Sequence, residues 1–374
     1  MIVRGLFIFF FCCIYGCGYA QQGGILSCGQ NAYTDRLFSN NPALRVVQSE
    51  MEKKLRGWKR SVQVTGDPAR PLGASAPVVL PVVVHIVHNN GPENISDVQV
   101  MTAIQHLNAA YANTGYYDPS DGVNTNIQFC LAERDPDNNP TNGITRDVSP
   151  YTVMSTAADP MAFYDNDQNV KNVRRWNPLC YINIWVVKTI SSYSGAYASF
   201  PSAHGTDFDG IVIQAKDFGG SFAGDVFVIH EMGHYLGLYH TFQGGCTNTD
   251  CSLDGDQVCD TPPDASTAAI GCDQTMNSCS TDMLSGFATD QNDLIQDYMD
   301  YGNTNCMTVF TQGQSDRMNG FIQTVRASLL SCKSCMMPCP SPVKLSFVLP
   351  APVPDAGTAT TIFNSSSGAS SYEW

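Results

Sequence analysis

Residues 230–240 read HEMGHYLGLYH. On a helix, His230 and His234 stand about 40° apart around the axis and about 6 Å apart along it. Both imidazoles can therefore reach one metal ion, and Glu231 sits close enough to address a water on that ion. A helix running straight on would carry His240 away from the other two histidines. Gly237 answers this, because glycine leaves a helix at positive φ and turns the chain back. Three neutral imidazoles leave one coordination position open, the arrangement of a catalytic rather than a structural zinc. Five fixed positions make a chance match in a chain of this length an event on the order of 10⁻⁵.

Upstream of this motif the chain alternates strands and helices. Asp225 is the expected N-cap of the metal-bearing helix, with Val226 and Ile229 turned to the core. Asp209–Gln214, Tyr181–Val187, Ile127–Ala132 and the β-branched run Val78–Val87 read as strands. Ser96 caps a helix whose apolar face is Val98, Met101, Ile104 and Leu107. His85 and His88 are packing or surface histidines, since three better-spaced ones stand elsewhere. Ala196-Tyr-Ala-Ser-Phe-Pro201 is an edge strand offering backbone groups to an extended peptide, with Pro201 ending the pairing, or else a buried strand. The order strand, helix, strand, strand, metal helix implies an α/β upper subdomain.

Downstream the character changes. Cys246, Cys251, Cys259, Cys272, Cys279 and Cys306 crowd a Gly/Asp/Asn/Ser-rich segment and read as three disulfides whose connectivity spacing does not fix. Cys332, Cys335 and Cys339 read as linker cystines, with a metal knuckle the weaker alternative. Cys130 and Cys180 either pair or stay buried as thiols. Within DYMDYG (297–302), Met299 fills a gap in a tight turn. Tyr301 either brings a phenol to the metal's edge or is an ordinary turn tyrosine.

The ends differ from the middle. Residues 1–20 have a basic start at Arg4, an apolar run Leu6–Ile14 and a small-residue end at Ala20. That is a signal peptide, with lipidated Cys17 and cell-surface attachment as the competing reading. Export places the cysteines in an oxidising compartment. Residues 21–75 read as a pro-segment: a helical period over Pro42–Trp58, a dibasic Lys59-Arg60, then a loose run Asp67–Ala74 containing Arg70. Cleavage by an activating protease or by the protein itself is expected near Lys59-Arg60 or Arg70. The Cys28 thiolate can occupy the open zinc position and hold the protein silent, or be an ordinary disulfide partner. The folded domain spans 76–335. Residues 336–374 are a linker and the opening strands of a β-sandwich module resembling PKD or immunoglobulin-like domains. A net charge of −14 argues against nucleic acid as a partner, and no apolar run is long enough to span a membrane.

The quoted motifs, with HTFQGGC (240–246), GDQVCDTPPD (255–264), CMTVFTQGQSDRM (306–318) and upstream LPVVVHIVH, FCLAERDPDNNPTNGI, YINIWVV and YASFP, resemble the pappalysin family of metzincin proteases, its bacterial ulilysin group in particular. The resemblance covers Cys28 to about Leu330. It implies an α/β metzincin catalytic domain: a twisted mixed sheet with the active-site helix above, and an irregular disulfide-rich lower subdomain. It implies a secreted zinc endopeptidase acting on proteins and peptides, made latent by a cysteine switch at Cys28. Met299 becomes the Met-turn under the zinc. Structural calcium is also implied, with Asp254, Asp256, Asp260 and Thr261 as oxygen donors of suitable hardness. Where some relatives carry acidic residues suited to a basic P1′ side chain, this chain has Gly302-Asn-Thr-Asn305. The competing class is a non-enzymatic secreted adhesion or binding protein with a structural zinc. An intact Glu231 and Tyr301 count against it.

Overall fold

A strand that is apolar on both faces needs cover on both faces, and parallel sheets with crossover helices supply it. Such a strand, β1 (Val78–His88), is buried from Leu80 onward and forms the centre of the fold. The computed structural model describes residues 28–64, 76–114, 121–154, 160–190, 195–247, 249–265, 271–338, 347–348 and 363–364. In chain order the elements are α1 (Gln30–Asn40), α2 (Pro42–Val64), β1, α3 (Asp97–Tyr111), β2 (Ile127–Leu131), β3 (Ile144–Val148), α4 (Pro160–Val173), β4 (Ile182–Val187), β5 (Ala196–Ala198), β6 (Ile211–Gln214), α5 (Phe222–Tyr235), α6 (Gln312–Thr324) and α7 (Ser328–Ser331), then the two-residue strands β7 (Phe347–Val348) and β8 (Phe363–Asn364). The large sheet has the order β2-β1-β4-β6-β5. β2 runs beside the first half of β1 and β3 beside its second half, while β4 lies along the other edge. Every pairing is parallel except β5 with β6, so the one reversed strand stands at the rim.

Alternation along the strands builds two cores. Val82, Val84 and Ile86 of β1, with Ile182, Ile184 and Ile211, meet α3 and α5 on one face. Val87, Trp185, Val187, Val212 and Tyr197 point to the other, where they pack with Val170 of α4 and with Tyr33 and Leu37 of α1. Ser96 caps α3, accepting from Gln99 N–H. Ser221, not Asp225, caps α5 by accepting from Gly224 N–H. The helix starts four residues earlier than expected, and Asp225 is spent on Gly219 N–H and a 2.5 Å contact to His106 Nδ1.

The N-terminal helices, expected from the sequence to form a pro-segment, lie across the domain. From α2, Glu52 meets the Arg317 guanidinium of α6 at 2.6 and 3.1 Å, and both side chains are buried. Tyr239 Oη donates to Glu52 and accepts from Gln48. Leu55 and Trp58 close over Gly320, where a Cβ would lie 2.4 Å from Leu55. Helix α2 continues through Lys59 and Arg60 to Val64, so the dibasic pair sits in a helix instead of an open loop. Arg70, the leader 1–20 and most of 336–374 lie outside the described residues.

Below the sheet the chain is irregular and cross-linked. Cys246–Cys279, Cys251–Cys259 and Cys272–Cys306 pair among themselves. The linker reading of Cys332 and Cys335 is corrected: they bond Cys180 and Cys130, tying the segment after α7 to the sheet. Cys339 lies outside the described residues. Cys28 is the free thiol among those described.

Candidate metal centre and cleft

Helix α5 is built to end sharply. Gly237 adopts φ +101°, its N–H meeting the His234 carbonyl and the Leu238 N–H meeting Gly233. This is a Schellman stop, and it needs glycine twice over, since a Cβ on Gly237 would lie 2.2 Å from the Phe321 ring. Beyond the turn His240 returns to its predecessors. His234 Nε2 lies 3.0 Å from His230 Nε2 and 3.1 Å from His240 Nε2. The opposite nitrogens are tied down, His230 Nδ1 to the Tyr298 carbonyl at 2.5 Å and His234 Nδ1 to the Leu238 carbonyl at 2.8 Å. Tyr298 begins the turn that carries Met299. Met299 is fully buried, and its sulfur sits so close to Gly233 that a Cβ there would lie 2.4 Å away. It packs against α5 at Gly233.

Cys28 completes the group: its sulfur and one nitrogen from each histidine all lie within 4.8 Å of one another. Its backbone is held as a strand residue, in a parallel bridge to Ala196 of β5, with Gly29 N–H donating to the Ala196 carbonyl at 2.9 Å. The Gln30 side chain accepts from Ala198 N–H, and Tyr301 Oη donates to the Cys28 carbonyl at 2.9 Å. β5 therefore serves its outer edge to an extended segment, and in this state the segment is Cys28–Gln30. Phe242 stacks on the His240 ring, and Phe200 meets the His234 ring edge-on.

The donor set fits zinc. Burial drives all three imidazoles toward the neutral form, His230 down to about 4. With Nδ1 of His230 and His234 donating to carbonyls, their Nε2 lone pairs converge on the same space as the His240 nitrogen and a sulfur. Converging lone pairs repel unless a cation lies among them, and two or three imidazoles with a thiolate suit zinc. Neither Glu231 oxygen has an N–H or O–H donor among the described residues, so the carboxyl is kept for the cleft. Burial pushes it up to about 8, partly offset by the adjacent Cys28 thiol, which is itself held well above its ordinary value by burial and by Glu231.

Of the oxygen donors expected for calcium, Asp256 and Thr261 stand together, 2.7 Å apart. Asp254 accepts from Thr249 and Asp250 at the surface, and Asp256 from Val258 N–H and Thr261 Oγ1 in the interior. Asp260 accepts from Thr311 and Gly313 at the start of α6. The sequence reading also missed Gln30, Tyr33, Glu52 and Arg317, which carry the pro-segment's contacts. Only the amphipathic period of α2 hinted at them.

Two buried histidines on a glycine-stopped helix and a third beyond its turn, above a methionine turn and beneath an antiparallel rim strand, define a zinc metalloprotease of the metzincin type. A family profile described as pregnancy-associated plasma protein-A, of peptidase family M43, matches residues 164–323. The chain is 31% identical over 264 residues to extracellular metalloprotease 1 of Coccidioides posadasii, covering 67% of this chain and 79% of that one. It is 35% identical over 201 residues to an extracellular metalloprotease of Verticillium alfalfae, covering 49% and 66%. Among solved structures it is similar to Tannerella forsythia mature mirolysin in complex with a cleaved peptide, at 28% identity and TM-score 0.58, covering 71% of this chain and all of that one. It is also similar to a Tannerella forsythia promirolysin mutant, at 25% identity and TM-score 0.62, covering 84% and all of that chain. The chain belongs to the pappalysin family of extracellular metalloproteases.

Proposed function

We propose that this protein is a latent zinc endopeptidase in which His230, His234 and His240 hold the metal and Cys28 fills the remaining position until the pro-segment leaves. The observation that carries this is the convergence of one sulfur and three imidazole nitrogens at the edge of β5. Zinc, when bound, supplies a Lewis acid that polarises the scissile carbonyl and lowers the pKa of the attacking water. The chain does the rest. The outer edge of β5 aligns an extended substrate through main-chain hydrogen bonds, as it now aligns Cys28–Gln30. Glu231, buried and with no N–H or O–H donor among the described residues, takes the proton from the attacking water and delivers it to the leaving amine. Tyr301 donates to the oxygen on which negative charge develops, the bond it now makes to the Cys28 carbonyl. Activation requires release of residues 28–64, by a cut in the run around Arg70 or at Lys59-Arg60 after local unwinding of α2.

The test is cleavage of a diverse peptide library by the zinc-loaded full chain, before and after limited trypsin treatment, with and without a chelator, beside Glu231→Gln. Expected is activity that appears on nicking and is lost with chelator and in Glu231→Gln, while zinc stoichiometry in the variant stays at one. Undiminished cleavage by Glu231→Gln would refute its role. Equal activity before and after nicking would refute latency.

A further inference from the structure

The rim strand has two sides. Ala196 and Ala198 turn toward α5, and Tyr197 between them turns toward α4. Residues paired across a ladder point their side chains the same way. Cys28 pairs with Ala196 and sends its sulfur to the histidines. The next position, Gly29, falls opposite Tyr197 and has no side chain to send. The space on that side is filled instead by Tyr33 of α1, whose ring centroid is 4.7 Å from that of Tyr197 and whose exposure is 2%.

The pocket around that ring is furnished for a phenol. Lys171 Nζ donates to Tyr33 Oη at 3.0 Å and lies 4.9 Å from the ring centroid. The Tyr33 hydroxyl donates to the Phe208 carbonyl at 3.4 Å. Lys171 is paired with Asp167 at 2.9 Å, both side chains fully buried, and Tyr197 Oη donates to Asp167 at 2.8 Å. The floor is thus net neutral yet offers both a donor, Lys171, and acceptors, the Phe208 carbonyl and Asp167 Oδ2, the latter 3.5 Å from Tyr33 Oη. A phenol satisfies both, a benzyl side chain neither, and a charged one meets no uncompensated partner. Apart from Tyr33, Leu37 and Leu44, the walls are Tyr197, Trp185, Val212, Met154 and Val170 of α4, all outside the pro-segment.

We propose that, once the pro-segment has left, this pocket is a substrate subsite for a tyrosine side chain, presented by the residue that pairs opposite Tyr197. The proposal rests on the endopeptidase reading above. A peptide lying along β5 with its scissile carbonyl at the histidines places alternate side chains on the α4 side, so one residue near the cut aims at the pocket Tyr33 now fills.

Two measurements test it. In the full chain, Tyr33→Ala is titrated with p-cresol and with toluene while thermal stability is followed. A ligand that binds the folded state alone raises the melting temperature by mass action. Stabilisation of the variant by p-cresol, more than by toluene and with none in the wild type, is expected. Equal response of variant and wild type overturns the pocket. If Tyr33→Ala does not fold, the trypsin-processed wild type takes its place in the same titration. Second, the processed, zinc-loaded protein is given peptides varied to Tyr, Phe or Ala at each position around the cut. Tyrosine should exceed alanine in kcat/KM by about tenfold at a single position, and exceed phenylalanine there, with the tyrosine-over-phenylalanine preference lost in Lys171→Met. Cleavage with no aromatic preference overturns the subsite and leaves the endopeptidase reading standing. No cleavage of any peptide overturns both.

Discussion

Replacing Glu52 by alanine should loosen the pro-segment far more than the loss of one surface contact would. In the latent form the Arg317 guanidinium is 1% exposed and receives its counter-charge from Glu52, 7% exposed, through two contacts at 2.6 and 3.1 Å. Its Nε is already committed to the Gly237 carbonyl. With alanine at 52, docking α2 still buries Arg317 but gives it no carboxylate, and Tyr239 Oη loses its acceptor. Removing one partner of a buried pair costs about 3–5 kcal/mol. When α2 is undocked, Arg317 is hydrated, so nearly all of that cost falls on docking. At 1.4 kcal/mol per decade, inhibition in trans by a peptide spanning residues 28–64 should weaken by roughly two to three and a half orders of magnitude. The assay is inhibition of the processed enzyme by wild-type and Glu52→Ala peptides, with Lys53→Ala, an exposed neighbour, as control. A change below about threefold for Glu52→Ala would refute the assignment of this pair as a main anchor of latency.

The other expectations can be set out together. Cys28→Ala in the full chain should show peptidase activity before nicking, at a fraction of the processed level because α1 and α2 still cover the cleft; silence equal to wild type would remove the thiol from the latency mechanism. Gly237→Ala forces an L-residue to φ +101° with its Cβ in the Phe321 ring, so about 2–5 kcal/mol of stability should be lost in denaturant melts, with zinc stoichiometry falling as His240 is displaced. Chelation should lower the melting temperature of the wild type and do so less in His240→Ala, whose site is already incomplete. Burial raises the Asp209 carboxyl, but Arg326 and His204 more than reverse this, leaving its pKa below the ordinary value. A lowered folded value contributes stability that is present above the unfolded pKa and lost as pH falls through the folded one. The stability gap between wild type and Asp209→Asn should therefore hold above about pH 5 and narrow as pH falls through about 4 and below, and a constant gap would contradict the pairing.

What could be read beforehand was whatever chemistry ties to spacing. His230, His234, Gly237 and His240 were legible because one ion and one helix turn dictate their intervals. β1 and α3 were legible because a β-branched run and a Ser cap act locally. Asp225 misled because serine and aspartate cap equally well. The choice fell to Ser221 once His106, 119 residues away, claimed the carboxylate. The partners of Cys130 and Cys180 stand 205 and 152 residues on, beyond anything spacing can express. That Asp256 accepts from a threonine and Asp260 from the N-terminus of α6 could not be read from residue type, which offered both only as hard oxygen donors. Tyr33, Glu52 and Arg317 are ordinary residues by type, and tertiary docking alone gives them meaning.

The two long cross-links bear on how the protein survives its own surroundings. Cys130–Cys335 and Cys180–Cys332 bracket nearly everything that makes the centre, from the rim strand through the methionine turn to α6. A proteolytic nick in any loop between residues 180 and 332 therefore leaves both fragments covalently joined, with the cut ends still anchored to the same sheet. Cleavage there becomes a unimolecular, repackable event instead of a dissociation. A secreted protease that meets other copies of itself at high concentration can in this way carry internal cuts and remain one particle.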